Sequence, residues 1–205
     1  MSLRFADARS LNDLKVFLER AERAGASSVR LTTVGGRLLS SVPVVVSDSI
    51  ITPGPSILGM RVSEVESDAD ADKVVAIRSI LERIAHIPAG AAGPIEWPPA
   101  ELHEAWAGVS APRSGWEPML DIELDYLRRS AEATLAALDG TSSPDPHGLL
   151  ADALSVGDPN LGIPVGMAAA AQSLGFLIGD GEARLSRVGR WARLSTAYGH
   201  VLARV

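Results

Sequence analysis

Apolar residues recur at helical spacing near the start of the chain. Leu14, Phe17, Leu18 and Ala21 fall on one side of a helix that opens at Ser10-Leu-Asn-Asp13, a capping-box-like start, and stops at Gly25. Residues 28–34 and 37–46 follow as two apolar runs joined by Gly35-Gly36, whose freedom at positive φ suits a tight hairpin. Pro53-Gly-Pro55 marks a loop. Residues 58–65 alternate, with Met60 and Val62 leading to the Glu64/Glu66 pair, and predict a third strand. From Asp68-Ala-Asp-Ala-Asp72 the period turns helical, and Val74, Ile77, Leu81 and Ile84 share one face. The expected order is α-β-β-β-α. Its links are too short for helical crossovers, so the sheet is expected to be antiparallel.

Residues 87–118 break the pattern. Pro88, Pro94, Pro98, Pro99, Pro112 and Pro118 exclude a regular element, apart from a short helix at 100–107. Trp97, Trp106 and Trp116 put more indole here than a solvated linker carries, so the segment is expected to pack across both halves. Periodicity returns at 119–138, where Leu120, Leu124, Leu127, Ala131, Leu135 and Leu138 predict the longest helix, ended by Gly140. Asp145-Pro146 predicts a short helix reaching about Leu154, and Gly157-Asp-Pro-Asn160 a turn. Pro164 opens an alanine-rich helix that Gly175 ends. The chain closes in a β-ribbon, read as a three-stranded meander with turns at Val188-Gly189 and Ala197-Tyr-Gly199. No internal repeat is legible. The expected fold is α+β: an N-terminal antiparallel sheet with flanking helices over 1–87, a Pro/Trp-rich connector over 88–118, and a helical domain over 119–205 ending in a β-hairpin or meander. A helix followed by a ribbon makes that last part winged-helix-like.

Composition narrows the chemistry. The 205 residues are 46% hydrophobic but only 4% aromatic, so the core must be aliphatic. Lys15 and Lys73 are the only lysines; the preference for arginine reads as coding bias, not function. A net charge of −6 argues against a surface that binds polyanions everywhere. The absence of cysteine excludes disulfides, thiolate nucleophiles and cysteine-ligated zinc. The N-terminus lacks a signal-peptide core, and the most apolar run, 163–178, is too short to span a bilayer and contains Pro164 and Gln172. A soluble, cytoplasmic protein is expected.

Pro112-Arg-Ser-Gly-Trp-Glu117, Leu174-Gly-Phe-Leu177 and Gly189-Arg-Trp-Ala-Arg-Leu194, with the Asp13–Leu18 helix segment and the strand residues Val29-Arg-Leu31, resemble an uncharacterised actinobacterial protein family. The resemblance covers most of the chain and implies a two-part layout. It implies no activity, substrate or catalytic residue.

Candidate sites are few. Asp68, Asp70 and Asp72 have the spacing that begins an EF-hand loop, but Lys73 and Ser79 stand where that loop needs glycine and glutamate, so the acids read as caps of a helix N-terminus. His86, His103, His147 and His200 show no zinc-ligand spacing. No nucleophile elbow, P-loop or dinucleotide fingerprint occurs. Asp121 and Asp125 are expected as solvated charge on one exposed helix face. Arg113, Trp116 and Glu117 are the candidate ligand pocket: an anion fork beside a stacking face, against a bland reading as a rigid loop. From 183 to 205 there are five arginines and no acid; Arg184, Arg187, Arg190 and Arg193 are the candidate nucleic-acid contacts, with Arg204 beyond them. Against that reading, the helix after Pro164 offers only Gln172 and Ser173 to bases and resembles a buried element. Strand alternation also separates Arg193 from Arg190. The expected function is a non-catalytic protein-interaction or regulatory module that self-associates, with no cofactor and no metal. A winged-helix-like DNA-binding protein, and a small-molecule-binding protein or enzyme with a pocket by the connector, are the alternatives. The expected partners are a second copy or another protein, with nucleic acid disfavoured by acidity and no membrane.

Overall fold

A computed structural model describes residues 2–46, 55–67, 70–108, 110–140, 146–155 and 163–204. They form ten strands and five α-helices in two compact units. The first unit comprises residues 1–42 and 60–109; the second comprises 43–59 and 110–205.

The first unit begins with β1 (Ser2–Phe5) and α1 (Ala8–Arg23). The helix starts earlier than the sequence suggests: the Asp7 side chain accepts from the Ser10 backbone N–H at 2.7 Å and is the N-cap. That bond holds the Asp7 carboxyl below its ordinary range. Leu11, Leu14, Phe17, Leu18 and Ala21 form the buried stripe of α1, and full burial of each large member contributes about 1.5–3 kcal/mol. The hairpin of β2 (Ser28–Val34) and β3 (Arg37–Val45) pairs Val34 with Arg37. Gly35 and Gly36 close it at φ of 57° and 72°, the doubly positive turn that matches strand twist. β4 (Ser56–Ser67) follows and pairs with β1, and β1 also pairs with β6 (Ile95–Glu96). The order of the main strands is β5-β2-β3-β4.

The helix expected from Asp68 onward is corrected. Asp72–Ala76 is a strand, β5, antiparallel to β2, and α2 runs only over Ile77–Ala85. Val74 and Val75 are β-branched neighbours on a pleated surface, and pairing with β2 outweighs the local helical period. A 3₁₀ turn at Ala105–Gly108 stands in place of the short helix expected at 100–107.

The second unit overturns the expected fold class. Residues 117–123 form a strand, β7 (Glu117–Glu123), where the longest helix was expected to begin; α3 covers Leu124–Gly140. β7 pairs with β8 (Glu182–Val188), β8 with β9 (Trp191–Thr196) and β9 with β10 (Gly199–Arg204), all antiparallel. The closing ribbon is therefore three strands of a larger sheet and not the wing of a winged helix. Pairing with β8 recruits Leu120 to Glu123 away from the helix, and the first N–H of α3, at Leu124, donates to Gly181 O at 2.9 Å.

The short α4 (Pro146–Ala151) and α5 (Gly166–Ser173) complete the unit. Residues 166–171 of α5 are all buried, against α3 and β10. The approach is close because the contacts are small. A Cβ at Gly166 would lie 2.7 Å from Ile57 Cδ1, and one at Gly199 would lie 2.5 Å from the Phe176 ring. The turns expected at 157–160 and most of the 53–55 loop lie outside the described residues, as does the Asp145 cap.

Candidate functional site

The sheet of the second unit carries the candidate arginines, and its register decides where each one points. Cross-strand partners share a face, as do residues two apart along a strand. Arg184 pairs with Ser195, Ser186 with Arg193, Ser195 with His200, and Leu202 with Arg193. These residues form one face. Ala183, Leu185, Ala192, Leu194, Val201 and Ala203 form the other and are buried. Arg187 lies on that second face, opposite Glu117 of β7, and Arg190 sits at the β8–β9 turn.

Each arginine then has its own surroundings. Arg184 makes a two-pronged contact with Asp121 of β7, at 2.9 and 3.1 Å. This holds the Asp121 carboxyl below its usual range and raises Arg184. Arg193 stacks on Trp116, with its guanidinium carbon 4.5 Å from the ring centroid, a contact of about 0.5–2 kcal/mol. Its Nε is buried without a hydrogen-bond acceptor, and burial lowers its pKa. Beside it His200 bonds through Nδ1 to Ser195 Oγ at 2.9 Å; burial, then repulsion from Arg193, holds it below its ordinary value.

The structure thus joins two sets that the sequence keeps apart, because Trp116 belongs to the candidate pocket and Arg193 to the arginine series. Trp116 donates its indole N–H to Pro112 O at 2.9 Å, which fixes the 112–116 loop. Gly115 reaches Val188 across the same loop: a Cβ there would lie 3.6 Å from the Val188 side chain. Arg113 and Glu117 are exposed and do not converge on Trp116 in any described bond.

The first unit holds a network that sequence reasoning misses. Arg30 of β2 donates through Nε and Nη2 to the Asp72 carboxylate at 2.7 and 2.6 Å, and through Nη1 to Ala107 O at 2.9 Å. Thr32 Oγ1 donates to the same carboxylate. Asp72 is therefore an ion-pair partner that ties the 3₁₀ turn to β2, not a helix cap. The signal was available: an arginine inside an apolar strand needs an acid nearby. Trp106 donates to Ser28 Oγ at 3.2 Å beside this network.

Other candidates separate in space. Asp121 is on β7, whereas Asp125 is in the first turn of α3 and pairs with Arg128, which also donates to Leu177 O and Gly179 O. His86 lies beside Glu82 O at the end of α2, His103 is exposed, and the side chain of His147 lies outside the described residues. Among the described residues no three His, Cys, Asp or Glu side chains group as metal ligands. No described helix is long and apolar enough to cross a membrane. An open groove of about 450 Å³ in the first unit, between α1 and the loop after α2, is lined by Leu11, Ile84, Ile87 and Pro88; its Lys15 pairs with Glu19 at 3.5 Å.

Comparison with solved structures explains the architecture. The Caulobacter crescentus pol III beta structure aligns over 100% of this chain and 65% of its own, with 13% identity and a TM-score of 0.60. A DNA polymerase sliding clamp from Pseudomonas aeruginosa gives 13% and 0.56 over 64% of its length. The DnaN sliding clamp of Bartonella birtlesii, bound to griselimycin, gives 10% and 0.57 over 65%. At such identities the likeness is one of fold, and the chain spans about 65% of the length of these clamps. This sheet-rich clamp fold overturns the expected α+β layout with a helical, winged-helix-like second domain. The expected function and its winged-helix alternative rest on that layout and are overturned with it. The alanine-rich helix is buried within its own unit, the ribbon is part of a sheet, Arg193 stacks on Trp116 and Arg184 pairs with Asp121.

No curated relative matches the sequence. Residues 111–205 match the family model of a domain of unknown function, DUF8185. Residues 1–108, more than half of the chain, match the model of a second domain of unknown function, DUF8010, and the chain belongs to that family.

Proposed function

We propose that the protein is a cytoplasmic scaffold of the DNA-clamp type, which engages protein partners at DNA and assembles with further copies. One observation carries this reading: the likeness in fold to sliding clamps runs over 100% of the chain. Two features agree with it. β7 pairs only with β8 among the described residues, and an unpaired strand edge is a template for another chain. No described helix is strongly basic: α1 sets four cations against three acids, α2 two against one, and α5 carries no charge. A protein of this charge holds DNA by enclosing it better than by attracting it.

The test incubates the protein with nicked circular plasmid and with the same plasmid linearised, then separates bound from free by gel filtration at rising salt. Retention on the circle that resists salt and is lost on linearisation is expected, with a sedimenting species larger than one chain. Equal retention on both forms, a steep salt dependence of the kind phosphate contacts produce, or no retention on the circle overturns the reading.

A further inference from the structure

Three half-buried arginines hold an acid each: Arg30 has Asp72, Arg61 has Asp13 and Arg128 has Asp125. Arg193 differs. It makes no hydrogen bond or ion pair among the described residues, its Nε is buried without an acceptor, and its one specific contact is the Trp116 ring. Among the described residues, no acid of the surrounding strands is paired with it. On its face of the sheet, Asp121 of β7 is held by Arg184. Glu123 and Glu182 face each other at the far end of the β7–β8 pair, four residues or ~13 Å along the strand from Ser186. Glu117 lies on the opposite face with Arg187. His200 of β10, itself a potential cation, is under repulsion from Arg193.

A guanidinium stacks through its faces and donates through its edges. Trp116 occupies a face of Arg193, so the stack orients the terminal N–H fork without using it. A half-buried cation with no acid is costly to maintain, and an arriving anion relieves that cost. We infer that Arg193, held on Trp116, is a preformed receptor for a single carboxylate presented by an acidic segment of a protein partner. One cation on a chain of net charge −6 does not suit a run of phosphates, which needs several basic contacts. The half-buried indole beside the fork offers apolar surface to a neighbouring side chain of the same segment. This deepens the scaffold reading, on which it rests for the partner being a protein, by naming what one contact recognises.

The test titrates the full chain with a short capped peptide carrying one glutamate between two leucines, and with its glutamine counterpart. Tryptophan fluorescence and the His200 ring resonance report binding. The glutamate peptide is expected to bind at least ~10-fold more tightly than the glutamine peptide, as a charge-assisted pair requires. It is also expected to raise the pH at which His200 titrates. Arg193→Gln removes the discrimination, and Arg193→Lys loses most of it, because an ammonium neither stacks nor forks. Equal binding of the two peptides, no binding at millimolar concentration, or full discrimination by Arg193→Gln overturns the inference. Inorganic phosphate or a single-stranded oligonucleotide displacing the glutamate peptide at lower concentration than the peptide itself overturns the carboxylate assignment. Retention of the wild-type chain on circular DNA is measured alongside, so that failure here and failure of the scaffold reading are seen separately.

Discussion

The two units bury helices in opposite ways. α1 of the first unit presents large side chains, Leu11, Leu14, Phe17 and Leu18, on one stripe and keeps a charged back. α5 of the second is glycine, methionine and alanine, buried on all sides from 166 to 171. A stripe of large residues fills space, and its failure mode is a cavity. A helix of small residues closes distance, and its failure mode is overlap. The arginines repeat the contrast at smaller scale, since Arg30 is neutralised by Asp72 and Arg193 is stacked on an indole with no acid.

The largest effect is expected in the first unit. Phe17→Ala removes a side chain that is 1% exposed, and chemical denaturation should show a loss of about 3–5 kcal/mol. A loss below about 1 kcal/mol would mean that the α1 stripe is not the filler described. Gly199→Ala reverses the logic by adding one methyl group where the Phe176 ring leaves no room, at an expected cost of about 1–3 kcal/mol. Neutrality there would dissolve the contrast between filling and closing.

Asp72→Ala leaves Arg30 half-buried without its acid. Because Asp72 is 44% exposed, the expected loss lies between surface and buried pairs, about 1–2 kcal/mol, and it should exceed that of Arg193→Gln, which removes no ion pair. The smallest effect is one of pH. His200 titrates below its ordinary 6.5 in the folded chain, so the unfolded chain takes up that proton first as pH falls. Its contribution is complete above about pH 6.5 and declines as pH falls below it, until the folded group titrates too. The denaturation midpoint of the wild type should therefore drop more between pH 7.5 and 5.5 than that of His200→Gln; equal drops would show that His200 is not the group responsible.

Legibility followed the source of each element's stability. The Gly35-Gly36 hairpin and the β8–β9–β10 meander could be read because their turns are encoded locally. α1 could be read because its stripe and polar back alternate at one period. β5 and β7 could not, because both run directly into a helix whose period extends back over them. Val74 and Leu120 fit the helical face as well as the strand, and only partners far along the chain, in β2 and β8, settle the matter. The arginine face shows the same divide. Alternation reads Arg193 and Arg190 as opposite faces, but Arg190 sits in the β8–β9 turn, and nothing local reveals that Trp116 lies on Arg193 or that Asp121 takes Arg184.

The amino-acid order by itself determined the Gly35-Gly36 and meander turns, the stripe of α1 and the small-residue character of α5, because each depends on neighbours within a few residues. The tertiary structure alone decided that 119–205 is a sheet with helices and not a helical domain with a wing, and that Arg193 stacks on Trp116. Strand pairing and ion pairing are contacts between residues as far apart as Asp121 and Arg184, and their free energy appears only when the chain brings them together.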